Sequence, residues 1–133
     1  MPRTLLALAL AALLLGGCGP DADRATARAV TERFFSALGA GDGARACAEL
    51  SQDTRSKLES QEQKPCREAI TGLGLKGAPI AHVDIDIVKA FVRLSDGDAA
   101  FLDHGKQGWE LSAVGCKRQG TPNEHPYDCD VED

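Results

Sequence analysis

At Ile80 the apolar residues of this chain stop recurring every three or four positions and begin to alternate. Helices first and an antiparallel meander afterwards is the signature of an α+β domain, with its N-terminal helices packed on one face of a curved antiparallel sheet. In the helical half, Val30, Phe34 and Leu38 recur at i, i+4 and i+8 with Ala37 beside them, which predicts a helix to about Leu38. Asp21 or Asp23 is positioned to cap it, and Gly39-Ala40-Gly41 breaks it. Asp42 then caps a short helix carrying Ala46, Cys47 and Leu50, and Ser51 can cap a further turn or two. Between Gln52 and Lys64 the only large apolar residue is Leu58, so this stretch reads as a solvated helix or an irregular surface segment. Pro65 suits the first position of a last helix bearing Cys66, Ala69, Ile70 and Leu73, ended by Gly72 and Gly74.

The strand half opens with Val83, Ile85 and Ile87 alternating with His82, Asp84 and Asp86, and a second strand is expected around Ala90 to Leu94. Asp96-Gly97 is the strongest hairpin signal, a type I′ candidate that pairs Leu94 with Ala99 and Val92 with Phe101. In that register Ala90 and Asp103 share their face. A turn at Gly105–Gly108 leads into Trp109, Leu111 and Ala113, with the strand running on to Cys116. A polar loop and a short closing strand at Tyr127–Val131 complete the pattern.

The first residues constrain where the chain works. Arg3 is the only charge ahead of Cys18, and Leu5 to Leu15 is an unbroken Leu/Ala run. As a helix those eleven residues reach roughly 16 Å, about half of a bilayer's hydrocarbon thickness, which suits a secretory leader better than a spanning helix. Leu15-Gly16-Gly17-Cys18 resembles the lipobox of bacterial lipoproteins. That resemblance implies a diacylglycerol on the Cys18 thiol, cleavage before Cys18, and a lipid-anchored place on the extracytoplasmic face of a bacterial membrane. The expected division is a signal peptide over 1–17, an acylated cysteine and tether over 18–23, and one domain over 24–133. Cleavage removes 17 residues and one base, leaving 116 residues with a formal charge of -6. That length holds one small core and excludes a multi-domain enzyme, a repeat solenoid and a polytopic membrane protein. An acidic balance with no Lys/Arg run argues against nucleic acid as a partner.

With Cys18 assigned to lipid, Cys47, Cys66, Cys116 and Cys129 remain. Four cysteines in an exported domain point to two disulfides with three possible connectivities. Cys47–Cys66 and Cys116–Cys129 are favoured because each pair lies within one half of the pattern. A zinc site is disfavoured, since no C-x-x-C and no Cys/His cluster at ligand spacing occurs.

Phe34-Phe35 with Leu38, Gly41-Asp42 and Ala46-Cys47, then Gly108-Trp109, Ala113-Val114-Gly115-Cys116 and Pro126-Tyr127-Asp128-Cys129, resemble small bacterial lipoproteins with the nuclear transport factor 2-like (cystatin-like) fold. That resemblance implies a helical layer on a strongly bent sheet, sometimes a cone with an open mouth. Such domains include isomerases, polyketide-cyclase-like enzymes and many non-catalytic binding modules. The lipoprotein group supplies no catalytic motif to carry over.

Few residues invite chemistry. His82, Asp84 and Asp86 alternate on one strand face, where neighbours two apart lie about 6.6 Å from each other; a solvent-facing side is the favoured reading over a metal site. Asp103, at the edge of an apolar concavity, could serve as general acid or base. A turn of even length at Gly105–Gly108 sets Glu110 opposite it as a carboxylate pair; an odd turn sets Trp109 and Leu111 there instead. His104 and His125 lie in or beside turns, and no serine elbow, phosphate loop or zinc-protease helix is present. The expected function is therefore a non-catalytic envelope lipoprotein without a cofactor, binding an envelope protein or a small apolar ligand. The alternative is a small isomerase- or cyclase-like enzyme using Asp103, with Glu110 or Tyr127, in a cone-shaped pocket.

Overall fold

The computed structural model describes residues 19–120 and 126–133, so Cys18, the leader before it and His125 lie outside the described residues. Four helices, α1 (Pro20–Gly39), α2 (Gly43–Ala48), α3 (Gln52–Glu62) and α4 (Cys66–Gly72), precede five strands. These are β1 (Ile80–Asp86), β2 (Lys89–Leu94), β3 (Ala99–Gly105), β4 (Gly108–Arg118) and β5 (Tyr127–Glu132). The strands form one antiparallel sheet in the order β1-β2-β3-β4-β5, and the helices pack against it. The fold is therefore α+β. No helix among the described residues is long and apolar enough to cross a membrane.

The start of α1 differs from expectation. Gly19, not Asp21 or Asp23, is the cap residue, and Pro20 opens the helix where its missing N–H costs nothing. Both aspartates fall in the first turn, where the helix dipole favours negative charge. The helix thus begins inside the stretch read as a tether. Val30, Phe34 and Ala37 are buried as the stripe requires, joined by Ala27 and Thr31. Thr31 satisfies its hydroxyl by donating to the Ala27 carbonyl at 2.9 Å.

Asp42 accepts from the Arg45 N–H at 3.0 Å and Ser51 from the Thr54 N–H at 3.1 Å, so both expected caps form. The segment after Ser51 is a regular helix laid on the core through Thr54 and Leu58. Pro65 is the cap residue of α4 rather than its first helical residue. Gly43 is buried where α2 meets α4, and a Cβ there would overlap the Arg67 carbonyl; only glycine permits that approach. Cys47–Cys66 fastens the same two helices, and Cys116–Cys129 joins directly opposed residues of β4 and β5.

In the sheet, two turns depart from the sequence pattern. β1 ends at Asp86, which pairs with Lys89, so Ile87 and Val88 form a two-residue turn instead of Ile87 continuing the strand. Asp96-Gly97 is not a type I′ pair. Gly97 N–H donates to Leu94 O at 3.1 Å and Leu94 N–H to Asp98 O at 2.8 Å, making Ser95–Gly97 a three-residue loop with Gly97 at φ 97°. The extra residue sets Val92 opposite Ala100 and Phe91 opposite Phe101. A one-residue slip exchanges faces, so Ala90, Val92, Leu94, Ala100 and Leu102 meet the helices while Phe91, Phe101 and Asp103 point away from that layer.

The β4 register also shifts between Phe101 and Leu102, where Leu111 faces Leu102 but Ala113 faces Phe101. This bulge at Ser112 occurs where β4 changes neighbours. Leu111 exchanges backbone hydrogen bonds with Glu49 and Ser51, each 2.9 Å, and the Asp133 N–H then reaches Ser112 O at 3.2 Å. Thr54 Oγ1 donates to the same carbonyl at 3.1 Å. The α2–α3 connection thereby covers the edge that β5 leaves unpaired. A bidentate Arg33–Glu49 pair (2.7 and 2.9 Å) ties this connection to α1, and that hydrogen bond pushes the guanidinium pKa further above its ordinary value.

Candidate functional site

The carboxylates singled out from sequence do come together. The β3–β4 turn is even, Lys106-Gln107 between paired Gly105 and Gly108, so Glu110 stands opposite Asp103 and Trp109 opposite His104. The sheet face they occupy is the other one, however. Asp103 shares its side with Lys89, Phe91 and Phe101, not with Val92, because of the three-residue loop at Ser95–Gly97. Lys89 neutralises it: the ammonium lies 2.8 Å from Oδ1 and donates to Oδ2 at 2.9 Å, and Oδ1, shut off from water, has no other partner. None of the four principal clefts is lined by Asp103 or Glu110.

The hydrogen bond to Asp103 raises the Lys89 pKa above its ordinary value; loss of solvent works against this, and the charges of Asp103 and Asp133 add to it. A raised ammonium pKa means stability fully present below the unfolded-chain pKa of about 10.4 and lost as pH climbs through the folded value. Because the Lys89 side chain is 68% exposed, water screens most of the pair. Lys89→Met should therefore cost less than about 1 kcal/mol at neutral pH. Urea titrations at pH 7 and pH 11 check this: the difference between variant and wild type should shrink at the higher pH, and a constant difference would assign the effect to packing of the lysine stem.

Next to the carboxylates the same face carries an aromatic trio. Phe91, Phe101 and Tyr127 are half-buried, with ring centroids 5.3 to 5.6 Å apart, and they rest beside Ala99, Ala113 and the Cys116–Cys129 disulfide. These contacts make a second, smaller apolar cluster on that face of the sheet.

The largest of these four clefts among the described residues lies elsewhere and was not anticipated. About 780 Å³ opens between α1 and the segment running from α4 to β1, floored by Phe35, Leu38, Leu75, Ala78 and Ile80. Its charged lining groups are Glu32 and Lys76. Gly77 lies so close over Phe35 that a Cβ there would stand 2.7 Å from the Phe35 Cβ. A smaller recess of about 340 Å³ shares Phe35, Gly74, Leu75 and Lys76 and reaches Asp96, Asp98, Lys117 and Asp130. The signal in the sequence was Leu75 and Ala78 set among Gly74, Gly77 and Pro79: two apolar residues in a connection that cannot be helix or strand.

The remaining sequence candidates are dispersed. His82 Nε2 and Asp84 Oδ1 are 2.9 Å apart, both well exposed, and Asp86 is exposed further along the strand. No group of three or more His, Cys, Asp or Glu suited to a metal ion occurs among the described residues. His104 stacks edge-on against Trp109 at 5.0 Å. The Trp109 indole donates to Asp23 Oδ1 at 3.0 Å, which ties the first turn of α1 to β4. Comparison with protein-family models, with curated proteins and with solved structures returns no match for this chain.

Proposed function

We propose that this chain is a bacterial envelope lipoprotein, held to the membrane through acylated Cys18, whose domain is a non-catalytic binding module of the nuclear transport factor 2-like (cystatin-like) kind. The observation carrying the binding role is the apolar cleft of about 780 Å³ along α1, a size suited to a small apolar ligand or an extended peptide. Its lining is mainly apolar, whereas Asp103, the carboxylate with catalytic promise, is held by Lys89 outside that lining. The fold assignment draws support from the order of elements, four helices and then a five-stranded meander. Support for the anchor comes from the leader, the two glycines and the cysteine in register.

Cys18→Ser tests the anchor. Two or three acyl chains bind a bilayer almost permanently, so the wild type should stay with membranes and the variant should leave them. A variant that remains membrane-bound after carbonate washing would contradict the assignment. For the binding role, a photocrosslinking residue at Ala78 in living cells should give a recurring adduct that the same probe at exposed Lys57 does not. Repeated recovery of the Ala78 chain without any adduct would leave the cleft without a ligand.

A further inference from the structure

Among the described residues the exposed large aliphatics are Ile87, 87% accessible, and Val88, 52% accessible, and they are adjacent at the β1–β2 turn. Ile87 also has φ 53°, a left-handed conformation that a β-branched residue adopts only at a cost. Glycine or asparagine would make this turn more easily. Folding alone gives no reason to place an isoleucine there.

The position of the turn supplies a reason. Ile87 and Ile85 line a cleft of about 530 Å³ together with Gly19 and Pro20, the first described residues of the chain. Cys18 directly precedes Gly19 in the chain. The β3–β4 turn is at the same end of the sheet, since His104 N–H donates to Val88 O at 2.8 Å and Gly105 pairs with Gly108. We propose that the Ile87–Val88 turn is a second, apolar contact with the lipid bilayer beside the Cys18 anchor. The inference rests on the reading of Cys18 as the lipidated residue.

A bilayer fits this surface better than a protein does. Two aliphatic side chains at a hairpin tip are far too small a patch for a stable protein interface, which buries on the order of 1,200 Å² or more. Beside an acyl anchor they need no affinity of their own, because the anchor holds them at high local concentration at the membrane surface. Near the tip Lys89 bridges to Asp103 and Asp21 meets Arg24 at 2.8 Å, while Asp86 is an exposed carboxylate. No cationic patch is formed, so the contact is apolar and does not depend on anionic lipid. Lys106, in the neighbouring exposed turn, can bury its stem and keep its ammonium among the headgroups. With α1 starting two residues after the anchor, this contact would hold the sheet end against the membrane and leave the large cleft turned away from the anchor.

The test uses the full lipidated chain in phosphatidylcholine vesicles with brominated acyl chains, which quench indole fluorescence by contact. Val88→Trp places an indole at the tip, and Ser95→Trp places one in the loop at the opposite end of the sheet; both positions are exposed, so neither substitution disturbs the core. With the emission of native Trp109 in the wild-type chain subtracted, the signal added at position 88 should shift to the blue and be quenched, while the signal added at position 95 should stay as in unbrominated vesicles. Equal quenching at both positions, or none at 88 in a chain that remains on the vesicles, would overturn the turn contact and leave the anchor standing. A wild-type chain that washes off the vesicles would remove the anchor and this contact together.

Discussion

Phe34→Ala should lower the unfolding free energy by about 3–5 kcal/mol, a large share of the roughly 5–15 kcal/mol that holds a domain together. Phe34 has no accessible surface, packs edge-on to Phe35 at 5.1 Å, and belongs to the cluster in which α1 meets the inner face of the sheet. Truncation to alanine removes the ring's transfer free energy and leaves a void. That void cannot collapse easily, because α1 is tied down along its length by the Trp109–Asp23 hydrogen bond and the Arg33–Glu49 pair. Urea unfolding followed by circular dichroism gives the value. A loss below about 1 kcal/mol would mean that α1 does not seat this ring in the core. Phe34→Leu keeps most of the volume and should lose distinctly less, which separates the cavity from any effect on helix propensity.

The helical half was readable because its signals are local. A stripe at i, i+4 and i+8 requires a helix whatever else the chain does, and Asp42 and Ser51 each cap their own backbone three residues on. The two disulfides followed from the even count and from the separation of the chain into halves. The entries of two helices were misread: Pro20 at the first position of α1 competes with the aspartates as a start signal and wins by its fixed φ, and Pro65 stands one residue before α4 as its cap.

The sheet was less legible for a physical reason. An Asp-Gly dipeptide serves a two-residue or a three-residue loop, and the choice decides which face every residue of β3 takes. Hydrophobic patterning normally settles such a register, but β2 and β3 are apolar on both faces. Ala90, Val92 and Leu94 fill one side while Phe91 and Phe101 fill the other, with Tyr127 arriving from a strand far along the sequence. The slip carried Asp103 away from the inner face and took the candidate acid–base site with it. The Ile87–Val88 turn was opaque for the opposite cause: it holds none of the residues that turns favour, so nothing in the sequence marks it. The large cleft depends on how the connection from Leu73 to Pro79 lies over Phe35, a long-range placement that no local pattern encodes.

Removing the first disulfide with Cys47→Ala and Cys66→Ala together should cost about 3 kcal/mol, because the bond closes a loop of 19 residues that the unfolded chain must otherwise explore. The helix inside that loop makes the effect more than entropic bookkeeping. α3 contributes Thr54 and Leu58 as its buried residues and is otherwise polar, so it is held at its two ends and little in between. At one end the Ser51–Leu111 backbone bond and the Thr54–Ser112 bond fix it to β4. At the other end Glu59 accepts from the Cys66 N–H at 2.9 Å, beside the disulfide. Without the bond, α3 and α4 should open locally before the rest of the domain, so trypsin should cut first at Lys57 or Arg67. The Cys116–Cys129 pair closes a loop of similar size, 13 residues, yet β4 and β5 stay joined there by their backbone ladder. Its loss should therefore cost a comparable amount in urea while leaving α3 resistant to trypsin. If instead both double variants were cut first within α3, the first disulfide would not be what confines that helix.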